Sequence, residues 1–227
     1  MISFLIPSHN YGDFLKKCVK SIKKNNPKYI KEIIIVNDSS TDNTDLIIKE
    51  LKRRNVSFSY FKRNFKSLAK TLNFAIKKSK GNILCKIDPD DVVKKNFAED
   101  LGKKFLSLKS DFLYSNIIVN NSRTKKKFIK NQKYHPYLKY FKYPHGSGCL
   151  FKKSIWKKVK GLNEKNFYQD DYDFWLKIIK LKRIKIDHYD KALYIYNMHE
   201  RNMSKNIIGK NFTKFKIFFL NMFAKAS

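Results

Sequence analysis

Acidic residues and cysteines are scarce in this sequence, and each shortage narrows what the protein can be. Its 227 residues include only 19 Asp and Glu against 50 Lys and Arg, which gives a formal net charge of +31. The three cysteines, Cys18, Cys85 and Cys149, have no CxxC spacing, so neither a disulfide framework nor a zinc site is expected. Their number and spacing favour a reducing compartment.

Long apolar runs and glycine-rich phosphate loops are also missing. No apolar run is long enough to cross a bilayer, and the run at the N-terminus is too short for a secretory signal, which predicts a cytoplasmic protein. There is no Walker pattern, and the one GxG, at Gly146 and Gly148, has no third glycine and does not follow the first strand. Nucleotide phosphates would therefore need another partner, and a divalent cation held by carboxylates is a common one.

The composition is nevertheless that of a folded protein. Hydrophobic residues make up 42% and aromatic residues 15% of the chain, which is too apolar for a disordered polybasic protein. The length fits one domain. The positive charge favours an anionic partner and leaves a nucleotide, a membrane face and a nucleic acid as alternatives. Because an AT-rich genome would also enrich lysine, the charge selects none of them.

Apolar periodicity predicts an α/β fold with a largely parallel sheet and helices on both faces. Short apolar runs are separated by segments whose apolar residues recur at helical spacing, which is the alternation of βαβ units. The predicted strands are 2–6, 32–36, 58–61, 83–87 and 112–119, and the predicted helices lie near 14–22, 46–51, 68–76, 97–108, 154–159 and 171–181. The basic segment 122–133 is predicted to be a loop or a hairpin, and short strands are expected after the last helix.

Three polar loops follow predicted strands at their carboxyl ends, where sheets of this kind bind ligands. They are the loop from Pro7 to Asn10 and residues 37–43 and 88–91. We expect the loops to line one crevice, with Pro7 and Asn10 among the residues that contact a nucleotide. The chain after residue 119 is expected to build the site of the second substrate.

The segment KIDPDD, from Lys86 to Asp91, crowds three carboxylates into a chain that has few. Crowded carboxylates repel one another unless a cation or several donors hold them. In an extended segment Asp88 and Asp90 point to the same side, and Pro89 keeps Asp88 out of the α region. The pair is a candidate ligand set for Mg²⁺ or Mn²⁺ against a diphosphate, with Asp91 capping the next helix or bonding a ribose hydroxyl. The alternative is a solvated turn.

Two further acidic clusters have both a functional and a structural interpretation. In the first, Asp38 can accept hydrogen bonds from a nucleoside, whereas Asp42 is placed to cap the helix that follows. In the second, YQDDYDFWLKI, an apolar helix follows Asp170, Asp171 and Asp173. At least one of these three is expected to cap that helix, and one is placed to act as general base toward an acceptor hydroxyl.

Five segments of the chain follow one another in a characteristic order: FLIPSHNYGDFLKKCVKSI, EIIIVNDSSTDNT, KGNILCKIDPDD, GLNEKNFYQDDYDFWLKI and YNMHERNMS. This order resembles that of the family 2 inverting glycosyltransferases with the GT-A fold. The resemblance spans nearly the whole chain. It implies a single GT-A, Rossmann-like domain over 1–205, with a nucleotide-sugar-binding half over 1–119 and an acceptor-binding half over 120–205.

The resemblance also implies roles for individual residues. Asp38 matches the carboxylate that binds the nucleobase, and Asp88 matches the carboxylate nearer the ribose. Asp90 and His199 match ligands that bring a divalent metal, Mn²⁺ or Mg²⁺, to the diphosphate. Asp171 matches the catalytic base.

The match has two departures near the second substrate and the diphosphate. Asp170 takes the place of the Glu that usually precedes the base, and together with Trp175 it is expected to line the acceptor site. Asn197 stands where many relatives carry Arg, a cation that Arg201 or a nearby Lys is expected to replace. The other histidines show no ligand spacing and are predicted to be structural; they are His9, His135, His145 and His188.

The resemblance thus implies an inverting transfer of a sugar from a nucleotide sugar, expected to be UDP-linked, to a saccharide or lipid-linked saccharide acceptor. Surface polysaccharide or glycolipid synthesis is the expected setting, and no specific nucleic acid is expected. Two alternatives stay open. A metal-dependent nucleotidyltransferase would release pyrophosphate, and a non-enzymatic polyanion-binding protein is favoured by the charge but not by the acidic clusters.

The tail 206–227 is predicted to form a basic aromatic helix. One helical face collects Phe212, Phe215, Phe219 and Met222, and lysines surround it. We expect the helix either to lie on an anionic membrane, where a lipid-linked acceptor would be met, or to pack on the domain. The first alternative places the protein at the inner face of the plasma membrane.

Overall fold

A sheet of nine strands forms the centre of the described part of the chain, which comprises residues 1–133, 140, 142–165, 170–202 and 217 in this computed structural model. The strands are β1 (Ile2–Ser8), β2 (Ile30–Asp38), β3 (Ser59–Arg63), β4 (Ile83–Lys86), β5 (Val92–Val93), β6 (Phe112–Asn121), β7 (Lys126–Lys130), β8 (Leu150–Lys152) and β9 (Ile186–Met198). The helices are α1 (Gly12–Lys23), α2 (Thr44–Arg53), α3 (Leu68–Lys78), α4 (Phe97–Ser107), α5 (Lys153–Lys158) and α6 (Asp170–Ile179), with a short 3-10 helix at Pro27–Tyr29.

The sheet joins two parallel groups of strands. Its order is β3-β2-β1-β4-β8-β6-β9-β5, and β7 pairs with β6 beside this path. Strands β1 to β4 are parallel to one another, as are the long strands β6 and β9. The short strand β8 connects the groups through antiparallel pairs with β4 and β6. The predicted α/β fold with a mostly parallel sheet is confirmed, and its antiparallel part begins where the regular alternation of the sequence ends.

Alternate residues of the central strands face two separate cores. Phe4 and Ile6 of β1 pack with α1, α2 and α4, whereas Leu5 packs with α3, α5 and α6. All three side chains are fully buried. Because buried apolar surface is the main stabilising contribution to folding, this alternation requires helices on both faces of the sheet, as predicted.

Three elements differ in extent from the prediction. The basic segment after residue 121 forms a hairpin in which β7 pairs with the end of β6. The expected short strands are one long strand, β9, which pairs with β6 along its length except for a register shift around Asn116. Helix α6 begins at Asp170, so all three acids of its cluster lie in the first turn. Asp42 accepts the N–H of Thr44, the first residue of α2, at 3.0 Å, but it does so from the position before the cap residue, which is Asn43 and not the predicted Asp42.

The predicted C-terminal helix, 206–227, lies outside the described residues except for Ile217. That side chain is buried in the core formed with α3, α5 and α6, which favours packing of this position on the domain. Among the helices of the described segments, none is long and apolar enough to cross a membrane. The division of the domain at residue 119 stays a prediction.

Candidate active site

The carboxyl ends of β1, β2 and β4 border a cavity of about 1090 Å³. The three polar loops line it together, and α6 brings the third acidic cluster to the same space. Of the predicted site residues, the cavity is lined by Pro7, Asn10, Asp38, Asp88, Asp90, Asp170, Asp171 and Trp175. His199 reaches this group through a contact with Asp90. Separate segments of the sequence therefore meet as expected.

Three residues around the cavity have left-handed backbone conformations that side chains disfavour. The φ angles are 58° at Asn10, 60° at Ser39 and 49° at Lys66. Such residues persist where neighbouring contacts hold them, and they cluster at functional sites. Two hydrogen bonds hold Asn10. Its side-chain Oδ1 accepts the N–H of Thr41 at 2.7 Å, and Arg201 donates to its backbone carbonyl oxygen at 2.7 Å. The predicted replacement cation, Arg201, thus lies at the edge of the cavity.

Asp38 is buried and binds the loop that follows β3. Its carboxylate accepts the backbone N–H groups of Phe65, Lys66 and Ser67 at 2.6, 2.9 and 3.0 Å, and the hydroxyl of Thr71 at 2.8 Å. Burial alone would raise the pKa of this carboxyl, but these hydrogen bonds outweigh burial and hold the pKa below its ordinary value. Asp38 therefore shapes one wall of the cavity, and its contact with a nucleobase stays a prediction.

Asp88 is held from both of its oxygens. The ammonium of Lys86 lies 2.9 Å from Oδ1, and the Ser147 hydroxyl donates to Oδ2 at 2.6 Å. Burial would raise the pKa of Asp88, but the positive charge of Lys86 lies beside it and lowers the pKa below its ordinary value. Asp88 is therefore a fixed, ionised carboxylate at the floor of the cavity.

The pKa of Asp90 is shifted in the opposite direction to that of Asp88. Burial, together with the negative charges of Asp88 and Asp91, raises its pKa to about 8. The His199 ring nitrogen Nε2 lies 3.1 Å from Asp90 Oδ2, and Asn202 donates to the same oxygen at 3.0 Å. A carboxylate and an imidazole are ligands of divalent metals, and the negative charge here lacks a full counter-charge. The predicted pair Asp90 and His199 is thus brought together in an environment that favours a cation.

Asp91 has a structural position that differs from the prediction. It is fully buried, and it accepts the hydroxyl of Tyr194 at 2.5 Å and the backbone N–H of Asn197 at 2.7 Å. It therefore fastens β9 to the acidic segment. The predicted helix cap at Asp91 is wrong, because α4 begins only at Phe97.

A short turn, His145 to Gly148, connects the donor side of the cavity to α6. Its backbone is tied to β4, since the N–H of Gly148 donates to the Lys86 carbonyl at 2.9 Å. A β-carbon placed on Gly146 would lie 2.5 Å from the β-carbon of Asp171. Since Ser147 holds Asp88, one turn contacts both a predicted donor-site carboxylate and the predicted base.

The three acids of α6 have distinct surroundings. Asp171 is partly exposed to the cavity, and its carboxylate accepts the N–H of Tyr172 at 2.9 Å. Asp173 is buried and pairs with Lys177 one turn later, at 2.9 Å. Asp170 is buried, and burial followed by the charge of Asp171 raises its pKa to about 7. Its Oδ1 has no hydrogen-bond partner among the described residues. Asp170 and Asp171 both line the cavity, and Asp171 is the more exposed of the two.

Sequence reasoning missed the residues that join these clusters. The sequence analysis gave no role to Lys86, the first residue of KIDPDD, or to Ser147, the middle residue of the one GxG. His145, predicted to be structural, lies with Nε2 4.0 Å from Asp91 Oδ2. Within the described chain, ligand atoms of Asp88, Asp91 and His145 lie within 4.8 Å of one another, which makes them a second candidate group for a metal ion. This group is an alternative to the predicted pair of Asp90 and His199.

Comparisons with known proteins agree on one family and one fold. The family model described as "Glycosyl transferase family 2" matches residues 3–159. The chain is 28% identical over 215 residues to the hyaluronan synthase of Pasteurella multocida, covering 92% of this chain and 22% of that protein. It is 24% identical over 217 residues to the O-antigen biosynthesis glycosyltransferase WbnJ of Escherichia coli, covering 92% of this chain and 84% of that protein.

The structural neighbours share the fold at lower identity. The crystal structure of S. aureus TarS 1-349 in complex with UDP-GlcNAc superposes with a TM-score of 0.77 at 20% identity, covering 100% of this chain and 68% of that one. This likeness shows the predicted GT-A fold. The chain spans less than a quarter of the length of several curated relatives that it matches.

Proposed function

The chain belongs to glycosyl transferase family 2, and from this we propose that it transfers a sugar from a UDP-linked donor to an acceptor hydroxyl with inversion at the anomeric carbon. One observation carries the proposal: Asp88 and Asp90 from the end of β4 and Asp171 from the start of α6 line the same cavity. A transfer reaction needs its donor-binding groups and its acceptor base within reach of one reacting centre.

In this reaction Asp171 accepts the proton of the acceptor hydroxyl. Its carboxylate is accessible from the cavity, and its backbone is fixed in the first turn of α6. The deprotonated oxygen attacks the anomeric carbon from the face opposite the diphosphate, so a single displacement inverts the configuration. Asp170 and Trp175, which border the same space, are proposed to contact the acceptor.

We propose Asp90 and His199 as the protein ligands of a divalent cation, Mn²⁺ or Mg²⁺. The donor set fits such an ion, because the buried Asp90 carboxylate and the His199 imidazole share one side of the cavity and the local negative charge is not balanced. When bound, the ion would offset the charge of the leaving diphosphate. On the protein side, Arg201 at the edge of the same cavity adds a fixed positive charge.

The UDP donor and the biological setting are drawn from the relatives. The TarS neighbour is a complex with UDP-GlcNAc, and the similar proteins include a hyaluronan synthase and an O-antigen biosynthesis glycosyltransferase. We therefore propose a saccharide or lipid-linked saccharide acceptor in surface polysaccharide or glycolipid synthesis. A cytoplasmic location fits the three buried cysteines, which are unpaired.

Product analysis tests the proposal. The purified chain is incubated with a panel of UDP-sugars, Mn²⁺ and candidate saccharide acceptors, and the released nucleotide is separated by chromatography. Release of UDP together with a glycosylated acceptor is expected. Release of pyrophosphate from a nucleoside triphosphate would establish a nucleotidyltransferase instead, and salt-dependent binding of DNA without affinity for any nucleotide sugar would establish a polyanion-binding protein.

A further inference from the structure

Negative charge is absent from a long part of the chain. Residues 112–163 contain thirteen Lys and Arg and no Asp or Glu. Within this part, the basic ribbon, which we define as residues 122–130, forms the turn after β6 and the strand β7. It carries Arg123, Lys125, Lys126, Lys127 and Lys130, and all five residues of β7 are exposed. The cations therefore form a local concentration of charge that no carboxylate within the ribbon offsets.

Large apolar side chains are exposed among these cations. Phe128 is 51% and Ile129 is 66% exposed, and Met198, beside the end of β6, is 38% exposed. Consecutive residues of a strand point to opposite faces, so Phe128 and Ile129 flank the outer edge of β7 on both sides. Among the described residues, β7 pairs only with β6, which leaves this edge open.

Lysine on an edge strand has a simpler explanation, because charge there discourages pairing with other chains. That explanation does not account for Phe128 and Ile129, since exposed apolar side chains on an open edge promote the pairing that lysine would prevent. Aromatic and aliphatic side chains interleaved with lysines match a surface that is anionic outside and apolar just beneath. A soluble polyanion would attract the lysines, but it has no apolar interior to take up the Ile129 side chain.

We propose that the basic ribbon docks on an anionic lipid surface. The ribbon is attached directly to the candidate active site: Ser122 donates its N–H to the Met198 carbonyl at 2.9 Å, and the Asn197 side chain donates to the Asp90 carbonyl at 2.8 Å. Docking therefore places the cavity beside the membrane. The inference goes beyond the proposed transfer reaction and does not depend on it, because lipid binding is measured without donor or acceptor.

Vesicle sedimentation of the full chain tests the proposal. Vesicles of phosphatidylglycerol and phosphatidylcholine in equal parts should pellet the protein at low salt, whereas pure phosphatidylcholine vesicles should not. Replacing Lys126, Lys127 and Lys130 by Gln should lower the partition coefficient by up to about a hundredfold, since each cation near such a surface contributes about fivefold. Replacing Phe128 and Ile129 by Ser should lower the partition coefficient further and make vesicle binding more sensitive to salt.

Two matched controls separate a local surface from the overall charge. Replacing Lys20, Lys23 and Lys24 near the end of α1, which are also exposed, by Gln changes the net charge equally and should leave binding within about threefold of the parent. Leu46→Ser with Leu106→Ser removes apolar residues that are 66% and 60% exposed elsewhere. If the parent stays in the supernatant, or if the ribbon variants bind as their controls do, the proposal is wrong, and in the second case the lipid contact lies elsewhere, for instance in the tail 203–227.

Discussion

Gly146 lies so close to Asp171 that a β-carbon at Gly146 would come within 2.7 Å of the Asp171 carboxylate oxygen Oδ2. The next residue, Ser147, donates to Asp88 at 2.6 Å. The distance between the proposed base and the proposed donor-site carboxylate is therefore set by two consecutive residues of one turn. Because close-packed atoms have no room to adjust, a small change in this turn must displace one of the two carboxylates.

We expect Gly146→Ala to lower turnover by at least about tenfold while UDP binding stays within about threefold. The new methyl group pushes Asp171 away, and a displacement of about 1 Å from a productive geometry costs up to about a hundredfold in rate. Gly102→Ala on α4 is the control, because its β-carbon would meet Tyr29 at 3.3 Å and Ile2 at 3.7 Å, two residues that do not line the cavity. Steady-state kinetics and calorimetry with UDP measure the two effects. Equal turnover in the two variants would show that the contact does not position Asp171.

Asp171→Asn and Asp173→Asn are expected to fail in different ways. The first keeps the side-chain size but removes the proton acceptor, so turnover should fall by about a hundredfold or more while donor binding survives. The second breaks the buried ion pair with Lys177, so the melting temperature should fall while turnover per folded molecule is retained. Donor affinity, melting temperature and turnover are measured side by side. Near-normal turnover in Asp171→Asn would move the base to a neighbouring acid.

Asp90→Asn should abolish the effect of Mn²⁺ on UDP binding. The substitution removes one of the two proposed ligands, and His199→Ala removes the other. Calorimetry with UDP, with and without Mn²⁺, is the measurement. Asp111→Asn serves as control, because Asp111 pairs with Lys152 and does not line the cavity. Unchanged Mn²⁺-dependent binding in both ligand variants would favour the second group, Asp88, Asp91 and His145.

Asp170→Asn should stabilise the protein at neutral pH but not in acid. Burial raises the pKa of Asp170 from 3.8 to about 7, so the folded state binds a proton more tightly than the unfolded state. Stability of the parent therefore falls as pH rises from about 4 to about 7, by roughly 3 to 4 kcal/mol from this group. The Asn side chain does not ionise, so the variant does not lose this stability as the pH rises. Urea unfolding across this pH range should give two curves that separate with rising pH, and parallel curves would contradict the assignment.

Lys86→Met should be destabilising. It leaves the half-buried Asp88 without its cation. Breaking one partner of a fully buried ion pair costs about 3 to 5 kcal/mol, and we expect a smaller loss for this partly exposed pair. Lys86→Arg keeps the charge and should recover part of this loss. Lys152→Met is the matched control, because the side chains of Asp111 and Asp88 are similarly exposed, at 26% and 28%, whereas Lys152 is 42% and Lys86 only 12% exposed. Pairs with an exposed partner contribute about 1 kcal/mol or less. Chemical denaturation compares the free energy of unfolding of the three variants. Equal losses in both Met variants would show that Lys86 stabilises the fold no more than Lys152 does.

Local sequence signals were sufficient for most of the fold. Apolar runs identified β1, β2 and β4 because buried parallel strands are apolar on both faces. The end of each predicted strand also fixes where the next residues lie, so the acidic loops could be placed at the same edge of the sheet. Asp88 and Asp90 were predicted from a strand end and Asp171 from the start of a helix, and all three line one cavity. Their roles, which the family resemblance assigned, stay predictions.

Contacts between distant segments could not be predicted from these signals. Ser147 is 59 residues from Asp88, and nothing in GSG indicates that its hydroxyl bonds a carboxylate on β4. The role of Asp91 was missed because its partners, Tyr194 and Asn197, lie on β9, more than a hundred residues away. Strand β9 itself is only partly buried along its length, so its apolar pattern is too weak to reveal one long strand.

The position of β9 also fixes the order in which a newly made chain becomes complete. Pairing of β9 with β6 joins Phe112 to Ile186, and Asp91 receives its donors only from Tyr194 and Asn197. A ribosome-bound chain that has not yet released β9 therefore leaves Asp91 without these two donors, although Asp88 can already pair with Lys86. The first helices and strands can fold early, but the acidic segment acquires its final shape last. A chain clipped before β9 thereby loses the contacts that hold both the Asp91 carboxylate and the backbone of Asp90.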